Sequence, residues 1–478
     1  MKKTKIVATV GPATEASESL AALYDGGVNV LRFNFSHAKH EGVRTILARV
    51  RELNASGRTN LSTLLDTKGP EIRTGDVVEK RRYAKGDEFR TYVDQKAADA
   101  DPNGIYCDYP YLLEDLKVGE TIRIDSGLLD VTVVAKNADS LTVRAENDAV
   151  IGSKRHVNLP DTKIRLPGVT DKDREDILFG ISEGMDFVAM SFVRTAENVA
   201  ELRSLLAENG ASHVKIIAKI ENREGVDNLH EILEASDGVM VARGDLGIEV
   251  PIQTLPLLQK EIIRKAREMG KFCIVATHML ETMIDNPFPT RAEVSDIFNA
   301  VAQRADATML SGETTTGKYP MESVAMMRSV IESAESHFVS EHKEYSNDGL
   351  TKRDVEKKVL IKNAIYAAED LGADAILVFT KTGRLARLAA AYRPNVPTYA
   401  FTGRETTVRF MNALFGIEPI LLPEWSDHQA NLDAALALLK KDGRVPSNGR
   451  VVAVTDIPRE GYEIPALEII DLGERRSA

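Results

Sequence analysis

Eight short apolar runs punctuate the first two thirds of the chain, at 5–10, 28–36, 61–66, 187–192, 214–221, 238–243, 272–277 and 307–311. Segments with helical spacing follow or separate them, at 15–25, 39–54, 172–183, 197–209, 223–236, 254–269 and 291–302. Strands that alternate with helices lie parallel and cross over right-handed, and eight such units are the number that closes a (β/α)8 barrel. Nearly every run ends in a polar residue: Ser36, Asp66, Ser191, Lys219, Arg243, Thr277 and Ser311. In a parallel barrel those ends share one mouth, where a polar group on a doubly buried strand needs a compensating reason.

Two adjacent runs carry most of the chemistry. Side chains alternate faces along a strand, so Lys219 and Glu221 project together from the end of 214–221. By the same rule Arg243 and Asp245 share a face at the end of 238–247, where Gly244 and Gly247 let backbone approach a ligand. An ion pair at a strand end explains any one of these residues alone. Two successive strands ending this way favour a site. Glu221 and Asp245 are hard oxygen donors that suit Mg²⁺ or Mn²⁺ completed by water and substrate oxygens. Lys219 cannot ligate a metal while protonated and is better placed to neutralise a phosphoryl group or a developing anion. In 28–36, Leu31, Phe33 and Phe35 share one face and Arg32, Asn34 and Ser36 the other, as expected of a strand lining a barrel mouth.

The rhythm breaks between 74 and 165, where short β-rich runs alternate with Gly, Asp and Asn turns. The expected organisation is a barrel from 1–73 and 166–345, an inserted small β-barrel lid at 74–165 and a C-terminal open α/β domain at 346–478. A polar link at 341–353 separates the last two. In the last domain Thr380, Lys381, Thr382, Gly383 and Arg384 offer hydroxyls, backbone N–H groups and cations at a helix start, a candidate anion site that a plain solvated turn explains equally well. The net charge of −11 argues against nucleic acid as the main partner. The opening Met-Lys-Lys-Thr-Lys precedes an apolar run too short for a signal peptide, and no stretch reads as a membrane span. Cys107 and Cys273 imply neither a disulfide framework nor a zinc site. A cytoplasmic enzyme is expected.

The segment Val214-Lys-Ile-Ile-Ala-Lys-Ile-Glu-Asn-Arg-Glu-Gly-Val resembles the active-site signature of pyruvate kinases. The likeness continues through Arg32-Phe-Asn-Phe-Ser-His, Leu65-Asp-Thr-Lys-Gly-Pro-Glu-Ile-Arg-Thr, Met240-Val-Ala-Arg-Gly-Asp-Leu-Gly, Pro289-Thr-Arg-Ala-Glu and Met309-Leu-Ser-Gly-Glu-Thr, in order along the chain. The resemblance implies phosphoryl transfer from phosphoenolpyruvate to ADP, then protonation of the enolate to pyruvate. It implies Glu221 and Asp245 as ligands of Mg²⁺ or Mn²⁺, and Lys219 as the cation beside the phosphoryl group in flight. Thr277 would lie where the enolate is protonated, and Gly244 against the substrate. Arg32 and Arg73 would hold phosphates, with Asn34 and Lys154 near nucleotide. Asn34, Ser36, Asp66 and Thr67 resemble a K⁺ site, with Glu71 the residue type that accompanies it. A homotetramer and a phosphorylated effector at Thr380–Arg384 are further implications. Departures from the family pattern are His278, Ser126, His156, Asp161, Phe288, Leu385 and the segment 455–462. A pyruvate-type aldolase or lyase barrel, and a catalytically silent metabolite-binding protein, are the alternatives.

Overall fold

The computed structural model describes residues 2–160, 162–338, 345, 347, 351–422, 427–460 and 462–473. Asp161, most of the link at 341–353 and part of 455–462 therefore lie outside the described residues. Eight parallel strands close a barrel: β1 (Lys5–Thr9), β2 (Val28–Asn34), β3 (Ser62–Asp66), β4 (Phe187–Met190), β5 (Lys215–Ile220), β6 (Gly238–Ala242), β7 (Phe272–Ala276) and β8 (Ala307–Leu310). Each pairs with its sequence neighbours, and β8 returns to β1.

Period-two alternation divides the strand side chains into two cores. Ile217, Met240, Ile274 and Met309 point into the barrel, while Ile216, Ala218, Val239, Val241 and Val275 pack outward against helices. The inward set is continuous with the C-terminal unit, because Phe187 and Phe272 meet edge to face and Phe410 packs on Phe272 from below. Gly238 is required there: a Cβ would stand 2.6 Å from the Phe272 ring. A buried ion pair, Arg393 to Asp306 at 2.7 Å, fastens the same junction, and Asp306 also accepts from the amides of Cys273 and Phe415. Burying both charges is tolerable because their remaining hydrogen-bonding capacity is filled. The N-terminal end of the barrel is thus closed, and the polar strand ends face the other way.

Between β3 and β4 the chain forms a curled seven-stranded sheet from Ile72–Arg73 to His156–Asn158. A bridge between Thr74 and Cys107 brings its two edges together. This unit rests on the barrel mouth, where Asn158 donates to Glu249 at 2.6 Å and Arg123 donates to the Ile248 carbonyl. The C-terminal unit is a five-stranded sheet with four parallel strands and an antiparallel edge, Tyr462–Asp471.

Candidate active site

Lys219 continues the inward face of β5, two residues after Ile217, and Glu221 follows on the same side. Lys219 Nζ lies 3.0 Å from Asp66 Oδ1, 3.0 Å from Glu221 Oε1 and 2.8 Å from Ser191 Oγ. Three strand ends are thereby joined through one ammonium. Burial works against that charge, but Asp66 and Glu221 outweigh it and raise the amine above its ordinary range. Asp66 accepts Arg32 Nε at 2.6 Å on its other oxygen. Burial opposes the Asp66 charge too, yet Lys219 and Arg32 hold its carboxyl below the usual value. Arg32 also donates to Thr9 Oγ1 at 2.9 Å.

Glu221 differs. Burial pushes its carboxyl up to about 7, with Lys219 opposing and Asp245 adding to the rise. Its second oxygen accepts from the Phe192 amide at 2.7 Å. Asp245 is half-buried and has no hydrogen-bond or ion-pair partner among the described residues. A carboxylate left unpaired beside another carboxylate fits a cation between them. No group of three or more His, Cys, Asp or Glu side chains converges among the described residues. Such a cation would keep water and substrate oxygens in its shell, as Mg²⁺ does.

One expectation about this region is corrected. The strand β6 ends at Ala242, and Arg243–Glu249 is a helix, so Arg243 and Asp245 do not share a strand face. Arg243 turns away from the mouth to Asp296, both oxygens at 2.6 Å, and donates to the carbonyls of Ala276 at 3.1 Å and Thr277. It braces the turn after β7, where Thr277 and His278 have φ of 67° and 54°. Two successive non-glycine residues in that region are strained and need such an outside hold. Thr277 Oγ1 accepts from the Gly244 amide at 2.9 Å and donates to the Ala276 carbonyl at 2.7 Å. A Cβ added at Gly247 would meet Ile252 at 3.2 Å and Leu255 at 3.4 Å. Asp296 carried no local signal in the sequence, since its partner stands 53 positions away. Ser191 was visible only as a polar strand end.

The oxygens of Asn34 and Asp66 lie on register partners of β2 and β3. Ser36 sits just past β2, with its amide on Asn34 Oδ1 at 3.1 Å. Thr67 accepts the Ser191 amide at 3.0 Å and the Ser191 hydroxyl at 2.6 Å on its carbonyl. All four carry oxygen atoms at or just past the ends of β2 and β3, the donor type that a hard monovalent cation takes. Glu71 is paired with Arg73 at 2.7 Å and Lys68 at 3.5 Å. Arg73 also donates to the Lys154 carbonyl at 2.9 Å, while the Lys154 ammonium is exposed and 3.4 Å from Asp76. Arg73 and Lys154 thus meet through backbone. His156 is beside Phe192, and burial lowers its imidazole although Glu71 and Asp245 face it.

In the C-terminal unit Thr380 Oγ1 accepts the Gly383 amide at 3.0 Å, and Arg384 pairs back onto Asp354. Lys381 and Thr382 are exposed and Leu385 is buried.

Residues 1–324 match the family model described as the pyruvate kinase barrel domain, and 358–463 the one described as the pyruvate kinase alpha/beta domain. The chain belongs to the pyruvate kinase family. Among curated pyruvate kinases it is 40% identical over 468 residues to that of Lactobacillus delbrueckii subsp. bulgaricus, spanning 96% of this chain and 78% of the relative. Against the pyruvate kinase of Clostridium acetobutylicum the identity is 40%, over 96% of this chain and 97% of the relative. The crystal structure of a pyruvate kinase from Cryptosporidium parvum superposes with a TM-score of 0.91 at 34% identity, covering 98% of this chain and 96% of that one. As a pyruvate kinase family member the chain is a phosphotransferase, moving the phosphoryl group of phosphoenolpyruvate to ADP in glycolysis.

Proposed function

We propose that the cluster Lys219–Asp66–Glu221, with Asp245 opposite and Thr277 on the adjoining strand end, carries that transfer. The single observation behind this reading is the Lys219 ammonium held 3.0 Å from two buried carboxylates of different strands. It is a fixed positive charge set where a phosphoryl group would cross, and such preorganised charge requires no reorganisation during the reaction. A divalent cation held by Glu221 and Asp245 would supply Lewis-acid polarisation and charge neutralisation at the same place. Arg32 and Arg73 bind phosphate oxygens, with Asn34 and Lys154 toward the nucleotide. Gly244 presents backbone to the substrate, and Thr277 holds the proton delivered to the enolate. Asn34, Ser36, Asp66 and Thr67 hold K⁺. Pyruvate formation from phosphoenolpyruvate and ADP, followed by a coupled assay, tests the reading; absence of product under Mg²⁺ and K⁺ would overturn it.

The aldolase alternative needs a neutral amine on Lys219. An amine held above its ordinary range by two carboxylates is a poor Schiff-base nucleophile.

Two expected outcomes concern the divalent cation. Asp245→Asn removes one full charge and lowers Mg²⁺ affinity by about 100-fold or more, read by calorimetric titration. An unchanged affinity would remove Asp245 from the ligand set. Because the Glu221 carboxyl is raised to about 7, below that pH it holds a proton that the cation must displace. Mg²⁺ affinity therefore rises as pH increases through 7, and titrations in buffers of different ionisation enthalpy register proton release on binding.

The same reading places the domain divisions near 73, 165 and 345. It makes the molecule a cytoplasmic homotetramer and puts a phosphorylated effector at Thr380, Lys381, Thr382, Gly383 and Arg384. Arg384 is paired there with Asp354. No described helix is long and apolar enough to cross a membrane.

A further inference from the structure

The helix Asp171–Ser182 is the first element after the chain returns from the lid, and its first turn reaches two loops that are not its own. Lys172 Nζ donates to the Phe35 carbonyl at 3.0 Å, and that carbonyl lies between Asn34 and Ser36. The neighbouring Asp173 accepts the Gly69 amide at 3.0 Å, two residues beyond Thr67. We infer that Lys172 and Asp173 are positioning residues that hold the β2 and β3 loops at the spacing a monovalent cation needs. This inference rests on the K⁺ reading of Asn34, Ser36, Asp66 and Thr67 given above.

Neither contact is a by-product of helix capping. Asp173 Oδ2 makes the cap with Thr170, leaving Oδ1 for Gly69. Gly69 has φ of 74° and lies so near Ser191 that a Cβ would come within 2.7 Å, so the amide it offers Asp173 is fixed in direction. Lys172 is anchored from behind. Its ammonium is 2.6 Å from Asp176 Oδ2, and Asp176 Oδ1 takes His40 Nε2 at 2.7 Å. Asp176 is 2% exposed, so both partners are needed to satisfy its oxygens. His40 opens the helix that follows the β2 loop and stacks on Phe179 at 4.3 Å and 5°. The loop carrying Asn34 and Ser36 is therefore held at Phe35 and again at His40, both times through one helix. The loop carrying Asp66 and Thr67 is held by that helix too. A small cation with all-oxygen ligands from two strands depends on the spacing between them, and a bracket spanning both loops sets it.

The test uses the full chain and two readouts: K⁺ activation of turnover, and the rise in Tm on adding KCl over tetramethylammonium chloride at equal ionic strength, without substrates. The Lys172 side chain is 45% exposed, so its replacement opens no cavity. The buried Asp176 oxygen it leaves without that partner lowers Tm in both salts alike, and the readout is the difference between them. Lys172→Met is expected to raise the K⁺ concentration for half-maximal effect about tenfold in both readouts, the scale of one charge-assisted hydrogen bond. The loss appears in the K⁺ requirement more than in kcat at saturating K⁺. Lys172→Arg, which can still donate to Phe35 and pair with Asp176, recovers most of it. A K⁺-dependent wild type whose midpoint is unmoved in Lys172→Met overturns the positioning role alone. A wild type indifferent to K⁺ in both readouts overturns the cation reading and this inference with it.

Discussion

Lys219→Met lowers kcat by about 10²–10³-fold while leaving KM for phosphoenolpyruvate within a few-fold. On the proposed reading a bound divalent cation and the Arg residues would hold the phosphate in the ground state, so Lys219 would contribute little to binding. In transit the phosphoryl group and the enolate oxygen both need a fixed cation, and Lys219 Nζ is placed for that by Asp66 and Glu221 at 3.0 Å each. Methionine fills the same space without charge. It leaves Asp66 to Arg32, whereas Glu221 loses its ion pair with Lys219 and takes up a proton more readily. Saturating Mg²⁺ must therefore be used, so that weakened metal binding does not pass for lost transfer. Exchange of the methyl protons of pyruvate is expected to persist in this variant, because the proposed proton position is at Thr277 on another strand end. A variant that lost only KM, or a wild-type Lys219 trapped by borohydride with pyruvate, would sink the role assigned to it.

The strand ends were readable because the barrel leaves the sequence little freedom. Strands buried on both faces read as apolar runs, and a Lys or Asp at the end of one stands out. The structure puts Lys219, Glu221, Asp66 and Ser191 within hydrogen-bond reach of one another, or of a shared partner. What could not be read is where a strand turns into a helix. The run at 238–247 has the spacing of one strand, and its helix begins at Arg243 because the backbone turns sharply at the end of β6. That turn reverses the meaning of Arg243, from a mouth residue to a brace, through a partner far along the chain. Lid strands such as Ile72–Arg73 and Ile105–Tyr106 are two residues long, too short for any period to register. The helix Pro320–Glu335 after β8 did carry a signal, a proline in its first turn. Phe288, one of the departures from the family pattern, is 74% exposed on the single chain.

The second large effect comes from that brace. Arg243→Leu is expected to lower kcat by about 10²-fold, since displacing a reacting group by about 1 Å has that consequence. Thr277 and His278 occupy a region of backbone space that costs of order 1–3 kcal/mol at each residue unless the surroundings impose it. Arg243 imposes it with donors on the Ala276 and Thr277 carbonyls, and Asp296 fixes the guanidinium from behind. Without them the turn relaxes toward ordinary φ, and Thr277 Oγ1 leaves the Gly244 amide. Proton exchange into pyruvate then falls together with kcat, which is the reverse of the Lys219→Met pattern. Arg243→Lys keeps the charge but not the fork that serves two carbonyls and a carboxylate at once, so it recovers only part of the loss. Mg²⁺ affinity serves as the control, because Asp245 lies on the same short helix; a large change there would mean the helix had moved as a whole. If exchange survives in Arg243→Leu while Mg²⁺ affinity is unchanged, Thr277 does not depend on the brace for its position.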